Sequence, residues 1–366
     1  MKRKGLLMLA AGALLVSSCS QDDLASKDAY SRNAITLNPS MGLETRATET
    51  VVGNLGTFYI SAFQDGEANY MNKVAYTSSD GGNNWSTTAG KFYWPVEGDL
   101  HFYGYAPETP GKSGVFQLDK DAQTLTGFSP EDAAADQKDF VYAKATGSNA
   151  SSGSTGLNVT FNHALSEISV KAKNENTAYT VVVRGVKLGN VKTKGDFTFP
   201  AVGSTENKGS WTLSDATEDV GSYTTTLAAA ETLSETVSDL GTSNEAFMLL
   251  PQQLEKAAQA SSKAYIALDV KITMQGGLVV RDGLVYVGID TNWEMGKHYT
   301  YTLDFTAGAG QDETGKPLIS GKDIKLNVSV TPWDAKAVDL PEKVITGTAS
   351  ASFTYKVGGQ TALVTK

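Results

Sequence analysis

Cysteine and histidine are scarce in this chain of 366 residues. Cys19 is the only cysteine, so no disulfide can form within the chain. The three histidines, His101, His163 and His298, lie far apart in the sequence, and no His-Glu-x-x-His or paired Cys/His spacing accompanies them. We therefore expect no catalytic residue, no metal site and no cofactor, and we expect each histidine to have a structural role.

Positive charge and long apolar runs are also scarce. The formal net charge is -9, which argues against a nucleic-acid partner because binding to phosphates requires a basic face. One apolar run, Gly5–Val16, follows three basic residues at positions 2–4. This run is too short to span a membrane, so the pattern predicts a secretory signal over residues 1–18.

The signal ends in Val16-Ser17-Ser18-Cys19, which resembles the lipobox of bacterial lipoproteins. That resemblance implies a lipid on Cys19 and attachment to the outer membrane. The acidic stretch Ser20–Asp23 resembles the tether that directs some Gram-negative lipoproteins to the cell surface. The polar residues 19–46 are therefore expected to form a propeptide or tether.

An exposed arginine is expected near the end of this tether. Arg46 stands between Thr45 and Ala47 in a polar segment, and such segments are preferred sites of proteolysis. Arg46 and Ala47 are therefore the candidate cleavage site for an arginine-specific protease.

What the sequence does contain is a series of short alternating runs separated by turn residues, which predicts an all-β protein. The clearest runs are Phe58–Phe63, Leu100–Tyr105, Ile266–Met274, Tyr299–Phe305 and Ile324–Val330. The Gly/Ser-rich composition of residues 147–156 is typical of a flexible linker or a long loop, and we place a domain boundary there. Alternation changes parity near Ser166, which predicts a bulge or a bend at that position.

The last stretch of the chain also has the pattern of a strand. Ala351, Phe353, Tyr355 and Val357 fall on one face, with small or polar residues between them. This strand follows the apparent end of a domain at Trp333. A spare half-buried strand of this kind indicates an assembly protein, although the tail folding back on its own domain is the alternative.

Four stretches together resemble one family, the fimbrillins and fimbrillin-like proteins that build type V pili on Gram-negative surfaces. The four stretches are Val159–Val170, Leu100–Pro107, Trp293 with Gly296–Tyr301, and Val328–Trp333. Their order along the chain, behind a lipobox, makes the resemblance specific.

The resemblance implies two tandem transthyretin-like β-sandwich domains, residues 47–155 and 156–340, and a donor-strand extension at 341–366. It implies export as an outer-membrane lipoprotein precursor and trimming after Arg46, which would remove the lipid and the first strand. Other pilin subunits would then join head to tail by donor-strand exchange, forming a fimbria that contributes to cell adhesion. Ala351, Phe353, Tyr355 and Val357 would form the donor strand, with Leu363 in a second short donor strand.

Other functions stay open at this stage. One alternative is a monomeric surface lipoprotein that binds glycans or host proteins through exposed Trp94, Tyr103 or Tyr105. Another is an uncleaved anchor or a tip subunit of a pilus. A β-sandwich hydrolase would need a convergent carboxylate or histidine cluster, which the spacing does not indicate.

Overall fold

A computed structural model describes residues 33–42, 55–241, 246–256, 262–319, 323–333, 353–357 and 360–364. The chain divides into two compact units, residues 1–335 and 336–366. Within these described ranges, the first unit holds four β-sheets and the second holds a hairpin.

The strands of the first unit range from two to 14 residues in length. They are β1 (Leu37–Met41), β2 (Thr57–Phe63), β3 (Asn69–Thr77), β4 (Leu100–Ala106), β5 (Ser113–Leu118), β6 (Gln123–Ser129), β7 (Val141–Gly147), β8 (Leu157–His163), β9 (Ser166–Lys173), β10 (Tyr179–Lys192), β11 (Gly195–Thr198), β12 (Ser210–Leu213), β13 (Val220–Thr232), β14 (Ser238–Asp239), β15 (Phe247–Leu249), β16 (Tyr265–Met274), β17 (Val279–Gly288), β18 (Lys297–Asp304) and β19 (Lys325–Pro332). A single helical turn, α1 (Asn149–Ser152), lies between β7 and β8, and 3₁₀ turns occur at Ala134–Asp136 and Thr217–Asp219. The all-β prediction is confirmed.

The first sheet, sheet A, has the order β1-β8-β7-β4-β2-β3. Its strands β2, β4 and β7 are buried on both faces, because alternate residues of these strands enter two different cores. In β4, for example, Phe102 packs in one core, whereas Tyr103 and Tyr105 pack in another. The core that contains Phe102, called here the N-terminal core, also contains Ile60, Trp94, Val159 and Phe161.

Sheet B has the order β12-β11-β6-β5 and contributes to the second core, called here the middle core. The middle core is aromatic: Phe140, Phe197 and Trp211 meet with ring centroids 5.1–6.2 Å apart. Edge-to-face and tilted pairs of this kind stabilise a core beyond the area that they bury. Sheet B therefore packs on the face of sheet A that carries Tyr103 and Tyr105.

Sheet C (β13-β10-β16-β17) and sheet D (β14-β9-β18-β19, with β15 also paired to β9) enclose the third core. Val181, Val183, Leu268 and Val270 are fully buried residues of sheet C, as the alternation of β16 predicts. Sheet D contributes Leu303, which is also fully buried. This sheet pair is a β-sandwich in which each sheet has one face on the core.

The parity change near Ser166 is a bend rather than a bulge: β8 ends at His163 in sheet A, the chain bends at Leu165, and β9 begins at Ser166 in sheet D. The predicted boundary between residues 155 and 156 divides sheet A, since β7 and β8 pair antiparallel across it. The Gly/Ser stretch is a capped turn between these two strands rather than a linker: the Ser148 side chain accepts a bond from the Ser151 amide.

The second unit contains β20 (Phe353–Val357) and β21 (Gln360–Val364), which pair antiparallel as a hairpin. Phe353 pairs with Val364 and Tyr355 with Ala362. Leu363 pairs with Thr354.

Candidate functional site at the edge of sheet A

The edge of sheet A is formed by β1, which comes from the predicted propeptide. β1 pairs parallel with β8, residue for residue from Leu37 with Leu157 to Met41 with Phe161. Backbone bonds extend the ladder at both ends: the Leu157 amide donates to the Thr36 carbonyl at 2.8 Å, and the Gly42 amide donates to the Phe161 carbonyl at 2.7 Å. The segment before Arg46 is thus part of the folded sheet.

Proline in a strand fits only where no ladder bond is needed from its nitrogen. Pro39 lies in the middle of β1, and β1 is the outermost strand of sheet A. Because an edge strand is paired on one side only, it tolerates a residue that cannot donate. The sequence of the propeptide therefore suits an edge and would not suit a central strand.

Three apolar side chains anchor β1. Ile35, Leu37 and Met41 are 7%, 8% and 5% exposed, and all three pack in the N-terminal core. Burial of such a side chain contributes about 1.5–3 kcal/mol. Removing this segment would open a groove lined by apolar residues of the N-terminal core, including Val159 and Phe161.

A second extended segment flanks the start of the propeptide strand. The Ile35 amide donates to the Phe92 carbonyl at 2.8 Å, and the Trp94 amide donates to the Asn33 carbonyl at 3.0 Å. Residues 33–35 are therefore bonded to 92–94, whereas residues 37–41 are bonded to β8. An extended segment in this position satisfies backbone groups on both walls of the groove.

Polar side chains hold the outer face of β1. The Asn38 amide donates to the Thr155 carbonyl at 3.1 Å and to the Asn158 side chain at 3.3 Å. The hydroxyls of Ser40 and Thr160 are 3.2 Å apart. The site can thus recognise an extended strand with apolar side chains on one face and small polar ones on the other.

The predicted site residues fall in different parts of the chain. Cys19, Arg46, Ala47 and Ala351 lie outside the described residues. Phe353, Tyr355 and Val357 belong to β20, as predicted for a strand, and Leu363 belongs to β21.

The aromatic residues considered for glycan binding are buried. Trp94 and Tyr103 have no exposed surface and Tyr105 is 1% exposed. The Tyr103 hydroxyl donates to the Pro200 carbonyl at 3.1 Å inside the middle core. The prediction that these three residues form an exposed platform is therefore wrong, because packing on both faces of sheet A covers all three rings.

Each histidine has partners within the fold. His101 contacts Asp65 and Thr146 through its two ring nitrogens, each at 3.1 Å. His163 Nδ1 lies 2.7 Å from the buried Asp139 carboxylate, and its ring stacks on Trp333 with centroids 4.5 Å apart. No group of three or more ligating side chains that could hold a metal ion occurs among the residues that the structure describes.

His298 illustrates how burial changes the chemistry of such a side chain. Its Nε2 lies 2.9 Å from the Ser169 hydroxyl, and its Nδ1 lies 3.4 Å from a Glu167 oxygen. Burial, and then the positive charge of Lys171, lower the pKa of His298 to about 4. The imidazole is therefore neutral near pH 7.

Sequence reasoning does not find the residues that line the groove. The sequence around three of these residues, Asn149, Thr155 and Asn158, gives no sign of a binding role. In the structure, Asn149 bonds to Asn33, and Thr155 and Asn158 bond to Asn38 of β1. The propeptide strand itself is hard to detect because Pro39 interrupts its alternation, leaving only Ile35 and Leu37 as a signal. Its partner lies about 120 residues away, as the Asn38–Asn158 contact shows.

Within the described ranges, no helix has the length and apolar character needed to cross a membrane.

Comparison with solved structures shows which folds this fold is similar to. A fimbrial protein from Bacteroides vulgatus matches 82% of this chain over 99% of its own length, with a TM-score of 0.59 and 16% identity. A protein from Bacteroides uniformis, provisionally assigned to cell adhesion, matches 83% of this chain over 99% of its own, with a TM-score of 0.46 and 17% identity. The fold is that of a β-sandwich fimbrial protein.

The family follows from the sequence itself. The model of the fimbrillin-like family matches residues 45–333. The chain therefore belongs to the fimbrillin-like family, a family of fimbrial structural proteins. No protein of curated function matches the sequence.

Proposed function

We propose that this chain is a structural pilin subunit that is exported as a lipoprotein on Cys19, trimmed after Arg46 and polymerised by donor-strand exchange. The observation that carries the proposal is the position of β1 at the edge of sheet A, upstream of Arg46 in the chain. Membership of the fimbrillin-like family supports assembly with other pilin subunits and a place at the cell surface.

Cleavage between Arg46 and Ala47 would convert β1 from an internal strand into a bound peptide. Before cleavage the strand is tethered, so its effective concentration at the groove is high. After cleavage only non-covalent contacts hold it, namely the β8 ladder, the three buried apolar side chains and the Asn38 bonds. A strand on another subunit could then compete for the same groove.

The C-terminal hairpin supplies a suitable competitor. β20 carries Phe353, Tyr355 and Val357 at alternate positions, so an apolar face is available to a groove that accepts Leu37 and Met41. Strand addition would satisfy the open edge of β8 with main-chain hydrogen bonds, and the aromatic side chains would bury more apolar area than the propeptide side chains that they replace. Since donor and acceptor are different segments of the chain, the contact would be head to tail and would grow a filament.

Export as an outer-membrane lipoprotein is the finer part of the proposal and is supported by the lipobox sequence ending at Cys19. The lipid would hold the precursor at the surface until an arginine-specific protease removes residues 19–46. The mature filament would contribute to adhesion to a host or bacterial surface ligand. In this proposal the chain has a structural role rather than a catalytic one.

N-terminal sequencing and lipid labelling of the protein from cells test the proposal, with filaments followed by electron microscopy. We expect the wild type to begin at Ala47 and to form filaments, and we expect Arg46→Ala to keep its lipid and form none. Arg32→Ala is the matched control, because this arginine also precedes the folded body but cleavage there would leave β1 in place.

The control should behave as the wild type does. A wild-type protein that keeps lipidated Cys19 and an intact Arg46 would overturn the stalk role and indicate an anchor or a monomeric surface lipoprotein. Filaments formed by Arg46→Ala with its propeptide retained would show that strand removal is not needed for assembly.

A further inference from the structure

The donor segment and the propeptide strand share one pattern over eight residues. Residues 35–42 read Ile-Thr-Leu-Asn-Pro-Ser-Met-Gly, and residues 351–358 read Ala-Ser-Phe-Thr-Tyr-Lys-Val-Gly. Both have apolar residues at the first, third, fifth and seventh positions and glycine at the eighth. The sequence that occupies the groove thus has a counterpart of equal length at the other end of the same chain.

The glycine at the eighth position fits a tight place at the end of the groove. A Cβ on Gly42 would lie 2.5 Å from Oδ1 of Asn162 and 3.3 Å from the carbonyl oxygen of Phe161. Any larger residue would have to displace the Asn162 amide and press on the backbone of β8. The groove therefore favours glycine there, and Gly358 supplies it in the donor segment.

The loop between β7 and β8 defines the other end of the groove. The α1 turn holds Asn149 so that its side-chain oxygen accepts from the Asn33 amide group at 3.2 Å. Gly156 has a φ of +80°, and a Cβ there would lie 2.9 Å from both Thr36 Oγ1 and Asn38 Nδ2. The loop thus lies against the second and fourth positions of the strand, where the donor segment has Ser352 and Thr354.

These two ends together select one register. A shift of the donor segment by one residue would point the polar side chains of Thr354 and Lys356 toward the apolar groove. A slip by two residues would keep the faces correct but would place Lys356 or Gln360, instead of Gly358, beside Asn162. Only the register that aligns 351–358 with 35–42 meets both requirements.

We propose that the edge of β8 accepts residues 351–358 of a second copy of this chain, parallel to β8, with Thr354 opposite Asn158. This inference rests on the proposed function and names the partner: acceptor and donor of the same sequence match, so the subunit polymerises with itself. The loop of residues 147–156 and the space beside Gly42 are the specificity-determining parts of the acceptor.

Disulfide trapping tests the register in the arginine-processed protein, which no longer contains Cys19. Asn158→Cys is combined in turn with Ser352→Cys, Thr354→Cys and Lys356→Cys. Adjacent strands place paired Cα atoms about 5 Å apart, within the range for a disulfide, and a shift of two residues adds about 6.6 Å along the strand. We expect a ladder of covalent oligomers, more than tenfold enriched, for the Asn158/Thr354 pair only.

The other outcomes separate this inference from the proposed function. Preferential trapping through Ser352 or Lys356 would overturn the register but keep strand exchange. If filaments form but none of the three cysteine pairs forms a disulfide, the edge of β8 is not the acceptor site. Processed protein that releases its propeptide and stays monomeric would overturn self-polymerisation, and so would trapping that occurs only after another pilin is added.

Discussion

At the scale of single residues, His298 links burial to the pH dependence of stability. Its pKa is lowered to about 4 in the fold, whereas an unfolded histidine has a pKa of about 6.5. As the pH falls between these values, the unfolded chain takes up a proton that the folded chain does not bind. The stability contribution of the neutral imidazole is therefore present above pH 6.5 and is lost as the pH falls toward 4.

We expect His298→Gln to lose less stability than the wild type between pH 7 and pH 4.5, with a difference on the order of 2 kcal/mol. Glutamine can keep a hydrogen bond to the Ser169 hydroxyl, which His298 contacts at 2.9 Å, but it does not titrate. Urea unfolding at a series of pH values measures the effect. Parallel pH profiles for the two proteins would contradict it.

At the scale of single elements, β1 is held by contacts that can be removed one at a time. Asn38 donates two hydrogen bonds, to the Thr155 carbonyl and to the Asn158 side chain, and it lies on the outer face of the strand. Its loss should weaken the bound propeptide without disturbing the apolar face that Ile35, Leu37 and Met41 bury.

After cleavage at Arg46, we expect Asn38→Ala to speed release of the propeptide fragment about thirtyfold, because two hydrogen bonds of about 1 kcal/mol each are lost. The rate is measured by a fluorescent label at the N-terminus of the fragment and its separation from the folded body. Ser154→Ala is the matched control, since this exposed residue lies in the same loop. Equal release rates for Asn38→Ala and the control would show that the outer face does not hold the strand.

Elements with unbroken alternation could be predicted from the sequence, and those set by distant partners could not. Ile266–Met274 alternates over nine residues and is confirmed within β16. The Gly/Ser stretch at 147–156 could not, because small polar residues are common in linkers but here they form a serine-capped turn. Its role follows only from its contacts with Asn33 and Asn38.

At the scale of the whole molecule, the buried residues that the structure describes form three cores between Ile35 and Trp333. We expect a chain that lacks residues 341–366 to keep all the residues of these cores and to fold. Processed in the same way, it should accept a donor strand and offer none, so it should shorten wild-type filaments in proportion to its mole fraction. Electron microscopy measures filament length, and calorimetry measures melting.

A full-length chain carrying Phe353→Asp and Tyr355→Asp is the matched control, because it keeps the length of the tail but cannot bury its donor face. This control should shorten filaments as the truncated chain does. Filaments assembled from the truncated chain alone would contradict a donor role for the tail.

The all-β class could be predicted from alternation and β-sandwich domains are implied by the family resemblance, whereas the division of the chain could not be predicted from alternation. The sequence places β8 in a second domain, but β8 is a strand of sheet A between β1 and β7. Sheet pairing is decided by contacts that alternation does not record, such as the buried rings on both faces of β4. The domain bounds at 47–155 and 156–340, which the family resemblance implies, therefore do not coincide with the boundaries between the sheets.

Trp333 is the last described residue before the C-terminal segment, and it is 2% exposed. Its ring stacks on His163, whose nitrogen bonds to Asp139, and its amide donates to the Gly296 carbonyl at 3.0 Å. If subunits are joined through the tail as proposed, tension on the tail would pass along the chain to Trp333. Because Trp333 directly follows β19, the edge strand of sheet D, its ring would have to leave the aromatic core before that strand could be peeled away. Trp333 would thus act as a mechanical anchor for the edge strand of a subunit that is pulled by its neighbour.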